Sequence, residues 1–382
     1  MNDFLIKELV NCDLLSEINS IDYDKSYAPR MVDKFRYKNL KIYGLTAAQA
    51  NILKQSALSV GADCATPKDT ITGMIENANC ILGGSISQLQ KIAVKLGVQP
   101  FGLRQLGRKI EDYIKISARD SVKTQIMGIL NVTNNSFSDG GQYIKYEDAI
   151  THLNSMLEEG ADMIDIGAES TKPYSAPVNP EEQLEKIIPI LEYISDHNID
   201  IPMSIDTRSS EVARKCLDAG ATAINDVSGL GYDKDMVNVI ADYDCPIIIQ
   251  HTKGTPDIMQ DNPVYENLMD EIYNDLNDKI ALALMNGIKK ENIIIDPGIG
   301  FGKTREHNFE ILKRIEELRG LDCPILLGLS RKSLLDMPDA DNQTKDIFTV
   351  ALNTLAVERK VDIIRVHNVK LHRKLIDMLC KQ

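Results

Sequence analysis

After about residue 120, short apolar runs alternate with longer segments of helical period, and this alternation constrains the fold more than any other feature. The runs are rich in β-branched residues and continuously apolar, as is typical of strands covered on both faces. Eight strands, each followed by a helix, over about 260 residues predict a (β/α)8 barrel. The eight runs lie at 125–133, 162–170, 201–207, 223–229, 246–252, 292–298, 324–330 and 362–368.

The segments between these runs have the spacing of amphipathic helices. In the segment 146–161, for example, Ile150, Leu153 and Leu157 recur on one helical face. We therefore expect an α/β fold in which residues 121–382 form the barrel. A doubly wound open sheet is the alternative, because eight parallel strands need not close into a ring.

The first 120 residues have a different pattern, which predicts a separate small α/β domain. They contain no recognisable chemical motif, so the role of this domain stays open. Its predicted elements are strands at 40–44 and 80–84, helices that begin at the capping-box pairs Thr46/Gln49 and Ser87/Gln90, and a helical connector at 103–124.

Charge and cysteine content limit the partners of the chain. Its 43 basic and 56 acidic residues give a net charge of −13, which argues against a broad nucleic-acid or anionic-membrane surface. No run of about 18 apolar residues occurs, and the N-terminus lacks a basic segment before an apolar one. The seven cysteines include no CxxC pair, which argues against a disulfide framework and a zinc-thiolate site. We expect a cytoplasmic protein.

Polar residues concentrate where the predicted strands end, while the strand bodies contain almost no charges. In a (β/α)8 barrel these ends meet on one face, where active sites lie. The distribution therefore predicts a site at that face rather than random surface polarity. The residues are Asn131, Glu169, Ser170, Asp206, Asn225, Asp226, His251, Asp296, the segment 330–333, Arg365 and His367.

Each of these residues also has a purely structural interpretation. Asp206 can cap the next helix, and a loop backbone can engage either Asn225 or Asp226. Arg365 and His367 point to the same side of a strand and form a cationic patch suited to phosphate, with a salt bridge to carboxylates as the alternative. A buried, hydrogen-bonded His251 is favoured over a catalytic one. Lys332 can reach a ligand carbonyl or remain solvated.

Seven motifs, in order along the chain, resemble those of the dihydropteroate synthase family. They cover about residues 124–378 and lie at the ends of seven of the eight predicted strands, whereas the first 120 residues lie outside the resemblance. The motifs are Met127–Thr133 with Ser136–Gly141, Ile164–Pro173, Ser204–Thr207, Ile224–Gly229, Ile294–Asn308, Gly328–Ser333 and Arg365–Val369.

The resemblance implies that 6-hydroxymethyl-7,8-dihydropterin diphosphate is joined to p-aminobenzoate. The products are 7,8-dihydropteroate and diphosphate, in folate synthesis. It also implies Mg²⁺ as a cofactor and a homodimer. In the family the bond to the leaving diphosphate breaks early, so that electrostatic stabilisation of the leaving group matters more than base catalysis.

The resemblance assigns roles that fit the chemistry of the residues. Asp and Asn can read the donor and acceptor edge of a pterin, and cations suit a diphosphate. The implied pterin-binding residues are Asp206, Asn225, Asp296 and Lys332. The implied diphosphate-binding residues are Asn131, which also binds Mg²⁺, Arg365 and His367. The implied catalytic residues are Asp206, Lys332, Arg365 and His367, and the aminobenzoate loops contribute Phe137, Asp139, Ser170, Thr171, Lys172, Pro173 and Ser333.

Five positions depart from the family pattern, and most of them concern the amine end of the site. Asn134 and Asn135 replace a proline and an aspartate, and Lys172 replaces an arginine. Gln250 and Asn368 replace a methionine and an aspartate. A synthase that uses another arylamine, such as a ribosylated aminobenzene phosphate, is therefore an alternative. A pterin-binding methyltransferase and a non-catalytic pterin-binding module are two more.

Overall fold

The structure is a computed structural model, and it describes residues 4–118, 123–132, 142–169, 178–254, 263–332 and 340–379, without the side chains of 142–145. The chain divides into two compact units, Met1–Arg119 and Asp120–Gln382. In the part of the chain that the structure describes, no helix is long and apolar enough to cross a membrane.

The first unit contains an antiparallel three-stranded sheet in the order β1-β3-β2. Buried leucines, isoleucines and alanines of α3, α4 and α5 form a core with one face of the sheet. The elements are α1 (Leu14–Ser20), α2 (Ala28–Phe35), β1 (Tyr37–Leu45), α3 (Ala47–Leu58), β2 (Asp63–Ala65), β3 (Ala78–Ser85), α4 (Ile86–Leu96) and α5 (Leu103–Ala118).

The sequence predicts the capping of this unit only in part. The capping box of Thr46 with Gln49 is confirmed. The box predicted at Ser87 is wrong, because Ser85 caps α4 and accepts a hydrogen bond from the backbone N–H of Gln88. Both serines have the required spacing, and Ser85 takes the role because β3 ends there in extended backbone.

The second unit is a barrel of eight parallel strands. The strands follow the order β10-β11-β4-β5-β6-β7-β8-β9, and a parallel bridge between Ile295 and Ile325 closes the ring. The predicted barrel is confirmed and the open sheet is wrong. The strands are β4 (Gln125–Asn131), β5 (Met163–Gly167), β6 (Met203–Asp206), β7 (Ala223–Asp226), β8 (Ile247–Gln250), β9 (Ile293–Asp296), β10 (Leu326–Leu327) and β11 (Ile363–Val366).

Helices surround the barrel and bury their apolar faces against the strands. Residues such as Ile126, Ile205 and Ile249 point outward from the strands into this layer. The helices are α6 (Gln142–Glu158), α7 (Pro180–Asp196), α8 (Ser210–Asp218), α9 (Met236–Tyr243), α10 (Leu268–Met285), α11 (Arg305–Arg314), α12 (Asn342–Glu358) and α13 (Val369–Leu379).

Candidate active site

The interior of the barrel changes from apolar to polar along its axis. Near the N-terminal ends of the strands, a small apolar cluster fills the interior. Because side chains alternate along a strand, the next inward positions on three of these strands are Asp165, Asp296 and Arg365. The carboxyl end of the barrel is therefore lined by charged groups. The apolar cluster consists of Met127, Met163, Ile248, Ile294, Leu326 and Ile363.

Arg365 of β11 connects the polar residues of several strands. Its Nε donates to Oδ2 of Asp165 at 2.5 Å, and its Nη2 donates to Oδ2 of Asp206 at 2.8 Å. Asn225 donates from Nδ2 to the same Asp165 oxygen at 3.0 Å. The predicted residues Arg365, Asp206 and Asn225 thus meet, and Asp165 joins them.

Asp165 is a site residue that the sequence reasoning missed. It lies in the body of β5 rather than at its end, and its side chain is 0% exposed. Among the described residues, its Oδ1 atom is buried without a hydrogen-bond partner. A charged residue between two isoleucines of a buried strand requires a partner, and this signal could have identified it.

Burial shifts the protonation of the groups around this ion pair. It raises the pKa of Asp206 to about 7, against the opposing effect of Arg365. Burial also raises the pKa of Asp296, which Lys332 opposes. It lowers the pKa of Lys332 to about 8, which Asp296 opposes. The site therefore holds two groups, Asp206 and Lys332, that can gain or lose a proton near neutral pH.

Lys332 lies against the loop that follows β9. Its Nζ donates to the carbonyl oxygen of Ile299 at 2.6 Å and sits 4.7 Å from the ring centroid of Phe301. The loop approaches the end of β8 closely, because a Cβ at Gly298 would lie 2.0 Å from the carbonyl oxygen of His251. Gly298 also has a φ of +70°, which favours glycine.

His367 is a neutral residue in this fold. Its Nδ1 lies 2.8 Å from Oγ of Ser330, and its backbone N–H donates to the same oxygen at 3.2 Å. Burial, with smaller contributions from Arg331 and Arg365, lowers the pKa of His367 to about 3. The cationic patch expected from Arg365 and His367 is therefore one cation, already paired with carboxylates, beside a neutral imidazole.

His251 is buried and hydrogen-bonded, as the sequence favours. Its Nδ1 lies 2.9 Å from Nζ of Lys303, which is 3% exposed and also donates to the carbonyl oxygen of Phe301 at 2.9 Å. Burial lowers the pKa of His251 to about 2 and that of Lys303 well below its ordinary value. This pair stabilises the loop that faces Lys332. Lys303 is a buried residue that could not be identified from the sequence.

Two other strand-end residues have local structural roles. Asp226 accepts hydrogen bonds from the backbone N–H groups of Ser228 and Leu230, which makes it a loop-stabilising residue. Glu169 forms an ion pair with Arg208 at 2.8 Å. Neither carboxylate contacts the Arg365 cluster by a hydrogen bond among the described residues.

The remaining predicted residues fall into two groups. Asn131 is half-buried at the end of β4, on the same face as Asp206. Among the described residues, no group of three or more His, Cys, Asp or Glu side chains is arranged to hold a metal ion. The altered positions Asn134 and Asn135 lie outside the described residues. So do the predicted aminobenzoate residues, which are Phe137, Asp139, Ser170, Thr171, Lys172, Pro173 and Ser333.

Comparison with known proteins gives consistent similarities. A family profile described as pterin binding enzyme matches residues 127–367. Dihydropteroate synthase of Clostridium beijerinckii is 43% identical over 249 residues, which are 65% of this chain and 90% of that protein. The structure of dihydropteroate synthase from Xanthomonas albilineans in complex with 7,8-dihydropteroate has a TM-score of 0.61 and 34% identity. That match covers 68% of this chain and 93% of that one.

A longer relative also matches the first unit. The probable bifunctional folylpolyglutamate synthase/dihydropteroate synthase of Halobacterium salinarum is 38% identical over 330 residues. The match covers 84% of this chain, which is more than the second unit contains, so it extends into the first unit. The chain spans about two fifths of the length of such bifunctional relatives, since it covers 40% of this one.

Proposed function

Because the chain belongs to the dihydropteroate synthase family of pterin binding enzymes, we propose that it joins 6-hydroxymethyl-7,8-dihydropterin diphosphate to p-aminobenzoate. The products are 7,8-dihydropteroate and diphosphate. The observation that carries the proposal is the buried cluster in which Arg365 bridges Asp165 and Asp206 beside Asn225. The dihydropteroate bound to the Xanthomonas albilineans relative supports it.

The cluster suits the flat polar edge of a pterin. A pterin presents amino and ring N–H donors together with carbonyl and ring nitrogen acceptors. Asp206 and the unpartnered Oδ1 of Asp165 accept, while Asn225 can both donate and accept. Asp296 adds an acceptor and Lys332 a donor. A ligand that supplies donors to a buried, unpartnered carboxylate oxygen gains more than one that leaves it unpaired.

The diphosphate group of the substrate would be bound by Arg365, His367 and Asn131. Among the described residues, hydrogen bonds engage only Nε and Nη2 of Arg365, which leaves Nη1 for a phosphate oxygen. His367 uses Nδ1 on Ser330 and presents Nε2. Because a nearby anion favours the charged imidazole, diphosphate binding raises the pKa of His367 from its low value in the free protein.

The chemistry is a substitution at the methylene carbon of the pterin. The C–O bond breaks and its electron pair leaves with the diphosphate, a C–N bond forms to the arylamine, and the amine nitrogen loses one proton. Since negative charge accumulates on the departing diphosphate, the guanidinium of Arg365 and an N–H donor at Nε2 of His367 stabilise the transition state. Lys332, held by the Ile299 carbonyl oxygen and the Phe301 ring, orients the pterin.

Mg²⁺ fits this site as an ion shared with the substrate. Mg²⁺ commonly binds one or two protein oxygens and takes its other ligands from water and phosphate. Asn131 would supply one amide oxygen, and the diphosphate and water would supply the other ligands. When bound, the ion neutralises charge on the leaving group.

We also propose a cytoplasmic homodimer. The six cysteines in the described part of the chain are free thiols, which suits a reducing compartment. Helix α12 exposes Ile347, Phe348 and Leu355, an apolar face that a second copy can cover. Sedimentation of wild type and Phe348→Glu tests the dimer: the variant should sediment as a monomer.

One assay separates the proposed reaction from its alternatives. Diphosphate release and the mass of the pterin product are measured with p-aminobenzoate, with a ribosylated aminobenzene phosphate, and with no amine. Release and a dihydropteroate mass with p-aminobenzoate alone support the proposal. Lys332→Met is the low-activity control, and Lys313→Met, at an exposed position of α11, is the surface control. Reaction with the ribosylated amine alone makes it a different arylamine synthase. Pterin binding without release makes it a binding module or a methyltransferase.

A further inference from the structure

The direction of the Lys332 side chain depends on an unusual turn after β10. Arg331, the residue before it, has a φ of +56°. This left-handed region is unfavourable for a residue with a long side chain and persists only where the surroundings hold it. The turn lies between two residues of the site, Ser330 and Lys332, so whatever holds Arg331 also sets their directions.

Helix α12 supplies the group that holds Arg331. Nε of Arg331 donates to Oδ1 of Asp346 at 2.7 Å, and Nη2 donates to Oδ2 at 2.8 Å. The side chain of Asp346 is only 4% exposed. Burial alone would raise the pKa of Asp346, but hydrogen bonds from Arg331 and Asn368 together lower it. The paired, two-point contact is the strongest form of an Arg–carboxylate interaction.

Asp346 also holds the turn after β11. Nδ2 of Asn368 donates to Oδ2 of Asp346 at 3.1 Å, while Oδ1 of Asn368 accepts the backbone N–H of Leu371 and caps α13. Asn368 directly follows His367. One carboxylate on α12 therefore forms hydrogen bonds with both segments, the one that carries Lys332 and the one that carries His367.

These two segments are joined a second time at the site. Oγ of Ser330 accepts the backbone N–H of His367 at 3.2 Å and lies 2.8 Å from its ring Nδ1. From the other side of the same turn, Nζ of Lys332 reaches the Ile299 carbonyl oxygen. A change in the Arg331 backbone would therefore move both Lys332 and Ser330, the partner of His367.

We propose that Asp346, with Arg331 and Asn368, forms a clamp of positioning residues that sets Lys332 and His367 in their working geometry. The inference rests on the proposed function only for its activity readout. Asp346 itself has no place in binding or chemistry. It contacts the side chains of Arg331 and Asn368, and through them it fixes the backbone of the two turns.

The clamp requires one carboxylate, shared between the two turns. An aspartate at 368 would place a second carboxylate where the Asn368 amide now donates to Asp346, and Arg331 would have to neutralise both. Exchange of the two side chains, in the double variant Asp346→Asn with Asn368→Asp, restores one carboxylate and one amide donor. Rescue by this exchange is a result that simple loss of packing does not produce.

The matched control is an Arg–Asp pair at the opposite end of the barrel. Arg373 of α13 donates from Nη2 to Oδ2 of Asp162 at 2.6 Å, and the same oxygen accepts the backbone N–H of Ile126. Like Asp346, Asp162 joins a late helix to the segment beside a strand, but it lies where β5 begins. Asp162→Asn therefore reports the loss of a structural ion pair alone.

The test compares Asp346→Asn, Asn368→Asp, their double variant and Asp162→Asn with the full-length wild type. Thermal unfolding, kcat, KM and the affinity for the diphosphate-free pterin alcohol are measured for each. We expect both clamp single variants to lose about tenfold or more in kcat and in pterin affinity. The double variant should recover at least threefold, and Asp162→Asn should lower the melting temperature with kcat unchanged.

A readout without substrate keeps the clamp testable if the proposed reaction fails. The pH dependence of acetylation at Lys332, followed by peptide mass spectrometry, gives the pKa of its amine. Wild type should titrate near its lowered value of about 8, and Asp346→Asn should move it toward the ordinary 10.5. Absence of diphosphate release from wild type counts against the proposed function alone. An unchanged Lys332 titration, or no rescue by the double variant, overturns the clamp.

Discussion

The two ends of the barrel interior use the same strands for opposite purposes. At the N-terminal end, Met127, Ile248, Leu326 and Ile363 fill the space with side chains that need no polar partner. At the carboxyl end, two positions further along, buried charges depend on one another across strands. The apolar end gains stability from each contact, whereas the polar end loses stability whenever a buried charge loses its partner.

The largest effect is expected from Arg365→Ala, which breaks the polar end. Asp165 and Asp206 lose the cation that balances them, and removal of one partner of a buried ion pair costs about 3–5 kcal/mol. We expect kcat/KM to fall more than about a hundredfold, with weaker binding of both the diphosphate substrate and the pterin alcohol. The resemblance alone assigns Arg365 to the diphosphate. If calorimetry finds that Arg365→Ala binds the pterin alcohol normally, Arg365 contacts the diphosphate alone.

The next effect is expected from Ile248→Ala, which breaks the apolar end. Ile248 is fully buried, so its truncation should lower the free energy of unfolding by about 2–5 kcal/mol. The charged cluster keeps its partners, and kcat should therefore stay within about twofold of wild type at a temperature where the variant is folded. Urea unfolding and steady-state kinetics measure the two quantities. A loss of kcat comparable to that of Arg365→Ala would remove the contrast between the ends.

The pH dependence of stability sharpens the comparison at the polar end. The pKa of His251 is about 2 in the fold and about 6.5 in the unfolded chain. Between these values only the unfolded chain binds the proton, so the stability of wild type falls as the pH falls. His251→Asn has no imidazole to take up this proton, and its amide oxygen can accept the hydrogen bond from Lys303. From pH 7 to pH 5 we expect wild type to lose about 2 kcal/mol relative to the variant. A stability difference independent of pH would show that the fold leaves the pKa of His251 at its unfolded value.

The smallest effect is expected from removal of the first unit. Every strand end that carries a site residue lies in the second unit, which has its own core. The fragment 120–382 should therefore keep kcat within about threefold of the full chain. Circular dichroism establishes that the fragment is folded before activity is measured. A folded fragment without activity would assign the first unit a part in the reaction.

Local sequence patterns determined the architecture of this protein. Continuous apolar runs and helical periods arise within a dozen residues, so the eight strands and the helix after each could be predicted without knowledge of the packing. The position of Asp206, Asn225, Asp296 and Arg365 at the carboxyl end follows from strand direction alone. The capping of α4 shows the limit, because two serines fit the same local pattern and only the end of β3 selects Ser85.

Only the tertiary structure decided the partners and protonation of the site. Asp165 meets Asn225 and Arg365 across 60 and 200 residues of sequence, distances at which no local pattern records a pairing. The lowered pKa of His367 and the raised pKa of Asp206 come from burial, which depends on the closed barrel as a whole. Sequence determines which groups reach the barrel mouth, but their charge depends on the desolvation and neighbours that closure imposes.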